Sequence, residues 1–260
     1  WLLDSTMMAS SLVTLLAVAQ VAFHVEAALR GQPLVSTRIG IAAVILLISV
    51  VGGRIIPSFT RNWLARRPLG AMPAEFSRFD VATLALSALS LLAWALLPVL
   101  AQGTAKPAGL LLGLAGVLHV IRLFRWQPLR TTAEALVWVL HKAYAFVAAG
   151  FLLAGHAAWW DDLATHQAAV HAWMVGAIGL MTLAVMTRAT RGHTGHALTA
   201  PPATVVLYVA IIFAAVLRMA AALLPDHAPL LLQASGILWV AGYGLFVLRY
   251  GPMLTLPRKT

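Results

Sequence analysis

No cysteine occurs in the chain of 260 residues. That excludes disulfides, thiolate metal sites and cysteine nucleophiles, so any metal must be held by histidine, methionine, carboxylate or backbone. Charge is scarce as well: 10% of residues are charged, against about 25% in a soluble domain. Only eight are Asp or Glu. A water-exposed surface is not built from so few charges. No repeat or low-complexity segment stands out. There is no glycine loop followed by Lys-Ser/Thr, no nucleophile elbow and no His-Glu-x-x-His, so the catalytic motifs of soluble enzymes are absent. No basic start with a small-residue cleavage site marks a signal peptide. The first residue is Trp1 rather than Met, and an apolar helix begins a few residues later; the true N-terminus is expected to lie upstream.

Apolar residues fill the place that charge leaves. They make up 61% of the chain, and the mean hydropathy is +0.88. They come in blocks of about 20 residues, enough to cross roughly 30 Å of hydrocarbon at about 1.5 Å per residue. Eight spans are predicted: 5–30, 37–57, 81–102, 107–124, 132–156, 166–187, 202–224 and 229–249, with a polar connection over 58–80. Pro107, Pro202 and Pro229 stand at helix starts, where a missing N–H costs nothing. The fold class is therefore all-α, a polytopic transmembrane helical bundle, and the absence of a long polar stretch argues for a single transmembrane domain.

The net charge of +10 and a pI near 11.3 would suggest nucleic acid in a soluble chain. Here the basic residues have a topological reading, and the bilayer, not nucleic acid, is the expected partner. Alternate loops hold Arg54, Arg61, Arg66, Arg67, Arg78, Arg122, Arg125, Arg130, Arg188, Arg191, Arg249, Arg258 and Lys259, whereas the opposite loops hold Arg30, Arg38 and Lys106. Thirteen against three puts the Arg-rich side, and with it the C-terminus, in the cytoplasm.

Ionisable groups in hydrocarbon are expensive and mark candidate sites. Helix rise sorts the histidines by depth. His24 and His171 lie about six residues, roughly 9 Å, to the non-cytoplasmic side of their span midpoints. His119 and His141 lie about 3–6 Å to the cytoplasmic side of centre. His193 and His196 follow the sixth span at the cytoplasmic face, while His156, His166 and His227 stand at the outer edge and read as interfacial. Two axial haem ligands must approach within about 4 Å of each other. His171 and His193 are 22 residues apart, about 33 Å along a helix, so they cannot share an iron. By depth, His24 pairs with His171 and His119 with His141; His141 also faces the outer pair across a macrocycle. The metal-ligand candidates are His24, His119, His141, His171 and His193. His24 and His171 also have a plain structural reading, as histidines hydrogen-bonded between helices. Lys142 is expected to be buried near mid-membrane, and Arg218 either serves a haem propionate or snorkels outward.

The sixth span carries a small-residue stripe, Ala172, Gly176, Gly179 and Leu183, that admits close packing or a flat ring. His171, Val175, Thr182 and Met186 form the neighbouring stripe on α-helical spacing. Gly192 and Gly195 are expected to break the helix beside Arg188, Arg191 and His193, forming a turn that can hold an anion or serve as an ordinary basic loop.

His-Ala-Trp-Met-Val-Gly-Ala-Ile-Gly-Leu-Met-Thr-Leu-Ala-Val-Met-Thr-Arg-Ala-Thr-Arg-Gly-His-Thr-Gly, residues 171–195, closely resembles the signature of the NnrS family. So does Gly-Gly-Arg-Ile-Ile-Pro-Ser-Phe-Thr-Arg-Asn-Trp-Leu, residues 52–64, and Arg122-Leu-Phe-Arg-Trp126 and His141…Tyr144 fit the same pattern. The resemblance implies a twelve-helix protein of a bacterial inner membrane that carries haem b and copper. It implies nitric oxide or a related small molecule as partner, an electron donor it does not specify, and a role in denitrification or nitrosative-stress tolerance. By position, His24, His141, His171 and His193 match family histidines, and Arg54, Arg188 and Arg191 match family arginines that stand as cofactor-binding candidates with them. The chain departs from the family in lacking four preceding helices and a histidine-rich motif around a Glu, and in having Lys142 and His196 where other residues are expected. Three functions stay open: a haem–copper protein that binds or turns over nitric oxide, a transporter of metal, haem or a small anion, and a non-enzymatic metal-protecting or sensing protein.

Overall fold

The computed structural model describes residues 2–67, 69–100 and 103–255, and among them the regular structure is helical, with no strand. Eight helices are long and apolar enough to span a membrane: α1 Leu2–Arg30, α2 Leu34–Leu64, α3 Arg78–Leu96, α4 Ala105–Arg125, α5 Ala135–Trp160, α6 Leu163–His193, α7 Pro202–Leu223 and α8 Ala228–Thr255. A helix satisfies its own backbone in lipid, which is why apolar runs of this length take no other form. The chain is a multi-pass membrane protein. Gln102, the expected end of the third span, and Arg258 and Lys259 of the charge count lie outside the described residues.

Helix α5 is the hub. It packs on α2, α4 and α6, while the main partner of α1 is α2 and the main partner of α8 is α7. The buried face of α5 carries Leu136, Leu140, Tyr144, Val147 and Phe151, all without exposed surface. The approach of α4 to α5 is set by glycine. A Cβ on Gly109 would meet the Gly155 carbonyl oxygen at 2.8 Å, and one on Gly155 would meet the Gly113 nitrogen at 2.7 Å. Small residues four apart let two backbones touch, and that contact brings the side chains of His119 and Tyr144 together one to three turns further along.

Several boundaries differ from the sequence reading, among them α3, which ends at Leu96, and α8, which runs on to Thr255; three differences bear on the site. Helix α2 does not stop at Pro57 but runs on to Leu64. Ile56, Thr60 and Leu64 continue its buried face at a spacing of four, and that burial outweighs one missing backbone bond. Asp80 belongs to the first turn of α3 rather than to a polar connection, with Oδ2 accepting from Ser77 N at 3.0 Å and Ser77 Oγ at 3.1 Å. Helix α6 passes through Gly192 and ends at His193, with Thr194 as its C-cap, and the break falls at Gly195, whose φ of +78° glycine adopts without strain.

Residues Ala172–Gly179 of α6 form a π-helical stretch. Hydrogen bonds there run i→i+5, so the stripe drawn from His171 through Thr182 to Met186 on α-helical spacing does not carry across it. Trp173, inside this stretch, is fully buried, donates from Nε1 to the Val147 carbonyl at 3.2 Å, and packs where a side chain on Gly150 would stand.

Candidate functional site

The most buried polar cluster joins α2, α3, α4 and α5. Arg122, in the last turn of α4, has no exposed surface. Its Nε donates to Asp80 Oδ1 at 2.9 Å, and its Nη1 donates to the Ser49 carbonyl and to the Tyr144 hydroxyl oxygen, each at 2.8 Å. The guanidinium lies over the Trp126 ring, 5.1 Å from the centroid. Gly53 of α2 makes room for it, because any Cβ there would collide with the guanidinium nitrogens. Arg125 holds the far side of Asp80, with Nη1 3.6 Å from Oδ2, and donates to Ser77 Oγ at 3.0 Å. Sequence reading counted Arg122 among loop arginines. In the fold it is an internal charge, neutralised by a carboxylate from the neighbouring helix.

Hydrogen-bond arithmetic carries the cluster inward. His119 of α4 is fully buried, with Nε2 2.8 Å from Ser87 Oγ and Nδ1 2.8 Å from the Tyr144 hydroxyl. The single Ser87 proton goes to the Thr83 carbonyl at 2.7 Å, so Ser87 Oγ accepts from His119 Nε2–H. Nδ1 then accepts from the Tyr144 O–H, whose oxygen in turn accepts from Arg122. The hydrogen bonds from Ser87 through His119 to Tyr144 are all matched when His119 is the neutral Nε2–H tautomer, and Arg122 Nη2 is left buried without a partner. Phe151 stacks on the ring, with centroids 4.9 Å apart. The row Asp80, Arg122, Tyr144, His119, Ser87 is thus a single polar thread leading from the Arg-rich end into the bundle.

His141, one turn before Tyr144 on α5, is differently held. It is buried, its Nδ1 lies 3.1 Å from the Val137 carbonyl and its Nε2 lies 3.3 Å from Thr60 Oγ1. The carbonyl demands a proton on Nδ1. Thr60 gives its own proton to the Ile56 carbonyl at 2.8 Å, so Nε2 makes a long contact with Thr60, and the Trp126 backbone also interacts with the imidazole. An imidazole fixed through Nδ1–H on a carbonyl, with Nε2 left over, is the arrangement metal-binding histidines use.

The family described as NnrS protein matches residues 4–258. The chain belongs to the NnrS family. No curated protein and no solved structure matches it.

The other residues singled out from the NnrS signature lie apart from this cluster. His24 is exposed on α1, where Gln20 Nε2 donates to its Nε2 at 3.2 Å. His171 is half-buried on α6 and interacts electrostatically with Arg218 of α7. His193 and Arg54 are exposed. Arg188 lies over the Phe59 ring, 4.1 Å from its centroid, and Arg191 Nε donates to the Ala197 carbonyl at 2.8 Å. The arginines of the NnrS signature thus tie the end of α6 to α2 and to the following loop. Lys142 is exposed, not buried, and its Nζ lies 4.9 Å from the Trp138 ring centroid; the neighbouring His141 takes the inward direction, and one helical step turns Lys142 away from it.

A haem or copper centre, as the family resemblance implies, would require several ligands close together. Among the described residues no three of His, Asp and Glu group together around a point where a metal ion could be held. No hydrogen bond or ring contact joins any two of His24, His119, His141, His171 and His193. His119 has both nitrogens in hydrogen bonds of 2.8 Å, whereas His141 Nε2 has the longer 3.3 Å contact to Thr60. The described residues therefore fit a single imidazole ligand, not a complete ligand set. The cluster partners Asp80, Ser87 and Arg122 were missed by sequence reading, although Ser77-x-x-Asp80 carries the spacing of a helix-capping pair.

Proposed function

We propose that this protein acts in nitric-oxide metabolism or nitrosative-stress tolerance, in the inner membrane of a bacterium, with its Arg-rich end in the cytoplasm. On this reading it binds or turns over nitric oxide at a histidine-ligated centre carrying haem b and copper, and His141 Nε2 is the ligand that the described residues contribute. The observation that carries the proposal is the His141 geometry: a buried imidazole oriented by the Val137 carbonyl, with its second nitrogen 3.3 Å from Thr60 Oγ1, in a chain of the NnrS family. Haem supplies an iron able to bind a diatomic gas. The protein side of the work is to orient His141 and to exclude water with Trp126, Leu140 and Tyr144.

Nitric oxide is small and uncharged and reaches a mid-membrane site through hydrocarbon, so no hydrated channel is required. The transporter reading loses one of its motives, because Lys142 faces outward, and the Asp80–Arg122 pair is pinned by helix capping rather than free to exchange partners. Metal analysis of the purified full-length protein beside its His141→Ala variant tests the proposal. Loss of haem or copper from the variant supports it, and equal loading contradicts it.

A further inference from the structure

A cavity of about 440 Å³ opens at the Arg-poor end, between the start of α2, the end of α3 and the α5–α6 turn. Its volume falls within the range of small-molecule sites. Leu34, Leu97, Pro98, Leu100, Ala157 and Ala158 give it apolar walls. Its polar inner wall is made of donors. Arg38 is half-buried, gives one N–H to the Trp94 carbonyl at 2.9 Å and lies 5.1 Å from the Trp94 ring centroid. Among the described residues the guanidinium makes no other hydrogen bond and no ion pair. Trp94 is 1% exposed, and its indole N–H is buried without an acceptor. His166 packs its ring 5.9 Å from Trp94, and its side chain makes no hydrogen bond among the described residues.

Two carboxylates lie at the rim, and neither answers this charge. Asp162 caps α6, accepting from Ala164 N at 3.0 Å and from Thr165 N at 3.2 Å. Asp161 is exposed in the turn that ends α5, with φ +55°. A cation withdrawn from water without a counter-ion is costly. Beside an unsatisfied indole donor and an apolar wall, it specifies what is missing: an acceptor with negative charge on a body that prefers hydrocarbon.

We propose that this cavity binds an amphiphilic anion, with its carboxylate or phosphate against Arg38 and His166 and its apolar body against Trp94, Leu97 and Leu100. The ligand is either a soluble carboxylate or the headgroup of an anionic lipid. The site is independent of the metal reading, since it shares no residue with His141 or the Arg122 cluster.

The test uses the purified full chain in nanodiscs of zwitterionic lipid, titrated with decanoate and followed by tryptophan fluorescence and thermal midpoint. Saturable binding is expected in the native protein and in Arg30→Gln. Arg38→Gln should weaken it at least tenfold, while Arg38→Lys, which keeps the charge, should retain part of it. Leu97→Trp fills the cavity without touching the charge and should abolish binding, which guards against an Arg38 variant that merely folds poorly. Repeating the titration in discs containing phosphatidylglycerol separates the sources. Competition by the lipid assigns the site to a headgroup, and unchanged decanoate binding assigns it to a soluble anion. Equal binding in the native protein, Arg38→Gln and Leu97→Trp, or no saturable binding of either probe, overturns the proposal.

Discussion

Arg122 and Asp80, 42 residues apart in the chain, close a buried ion pair with Nε 2.9 Å from Oδ1. The pair locks the Arg-rich end of α4 to the first turn of α3, and its surroundings leave little room for adjustment. Asp80 also receives Ser77, and Arg122 also reaches Ser49 and Tyr144. Removing one partner of such a pair strands the other charge in a dry interior. Arg122→Met is expected to destabilise the protein by about 3–5 kcal/mol. The Asp80→Asn/Arg122→Met double variant should recover part of that loss. Unfolding in mixed micelles, followed by circular dichroism, measures both, and a single variant as stable as the native protein would refute the pairing.

Tyr144 is the hinge of the polar thread, donating to His119 and accepting from Arg122. Tyr144→Phe leaves both neighbours unsatisfied and should cost about 1–3 kcal/mol. Nitrogen NMR of labelled histidine provides the sharper readout. His119 is expected as the neutral Nε2–H tautomer in the native protein, and that signal should change on Tyr144→Phe and on Ser87→Ala. A doubly protonated His119 at neutral pH would break the donor count.

Backbone contact between α4 and α5 holds His119 against Tyr144. Gly155→Val drives a side chain into Gly109 and Gly113, whereas nothing lies within 4 Å of a Cβ on Gly236. Overpacking of this kind costs about 1–3 kcal/mol. The thermal midpoint should fall for Gly155→Val and hold for Gly236→Val, with the His119 tautomer signal lost only in the first. Equal midpoints would show that the two helices do not touch.

The pH response of the α6 start follows from Asp162. The Thr165 hydroxyl, the Thr165 N–H and the Ala164 N–H hold its carboxyl below the ordinary value of 3.8. A carboxylate with a depressed value in the folded state stabilises that state at pH above the ordinary value, and the contribution is lost as pH falls through the depressed one. Amide exchange at Ala164 and Thr165 should accelerate in that acid range. In Asp162→Ala it should be fast at neutral pH as well. Exchange in the native protein that is flat down to the lowest pH would remove Asp162 as the cap.

The eight spans were legible in the sequence because a helix in lipid needs only length and hydrophobicity, and both are written locally. Their ends were less so. Pro57 reads as a stop, yet buried Ile56, Thr60 and Leu64 carry α2 past it. Arg122 reads as one more loop arginine, because the carboxylate that draws it inside belongs to another helix. His119 and His141 were legible as mid-depth imidazoles from helix rise. Their different states were not, because Ser87, Tyr144 and Thr60 decide them across helix interfaces. The π-helical stretch after His171 escaped because the stripe there is drawn on a period of 3.6, and a wider turn leaves no mark in the sequence pattern.

The most direct measurement is the absorption spectrum of the purified full-length protein, recorded before and after nitric oxide for the native chain, His141→Ala and His119→Gln. The account predicts a Soret band that shifts with nitric oxide in the native protein, is lost or displaced in His141→Ala, and survives in His119→Gln if that variant folds. Absence of a Soret band and of copper in the native protein, or a His141→Ala spectrum identical to it, would contradict the account.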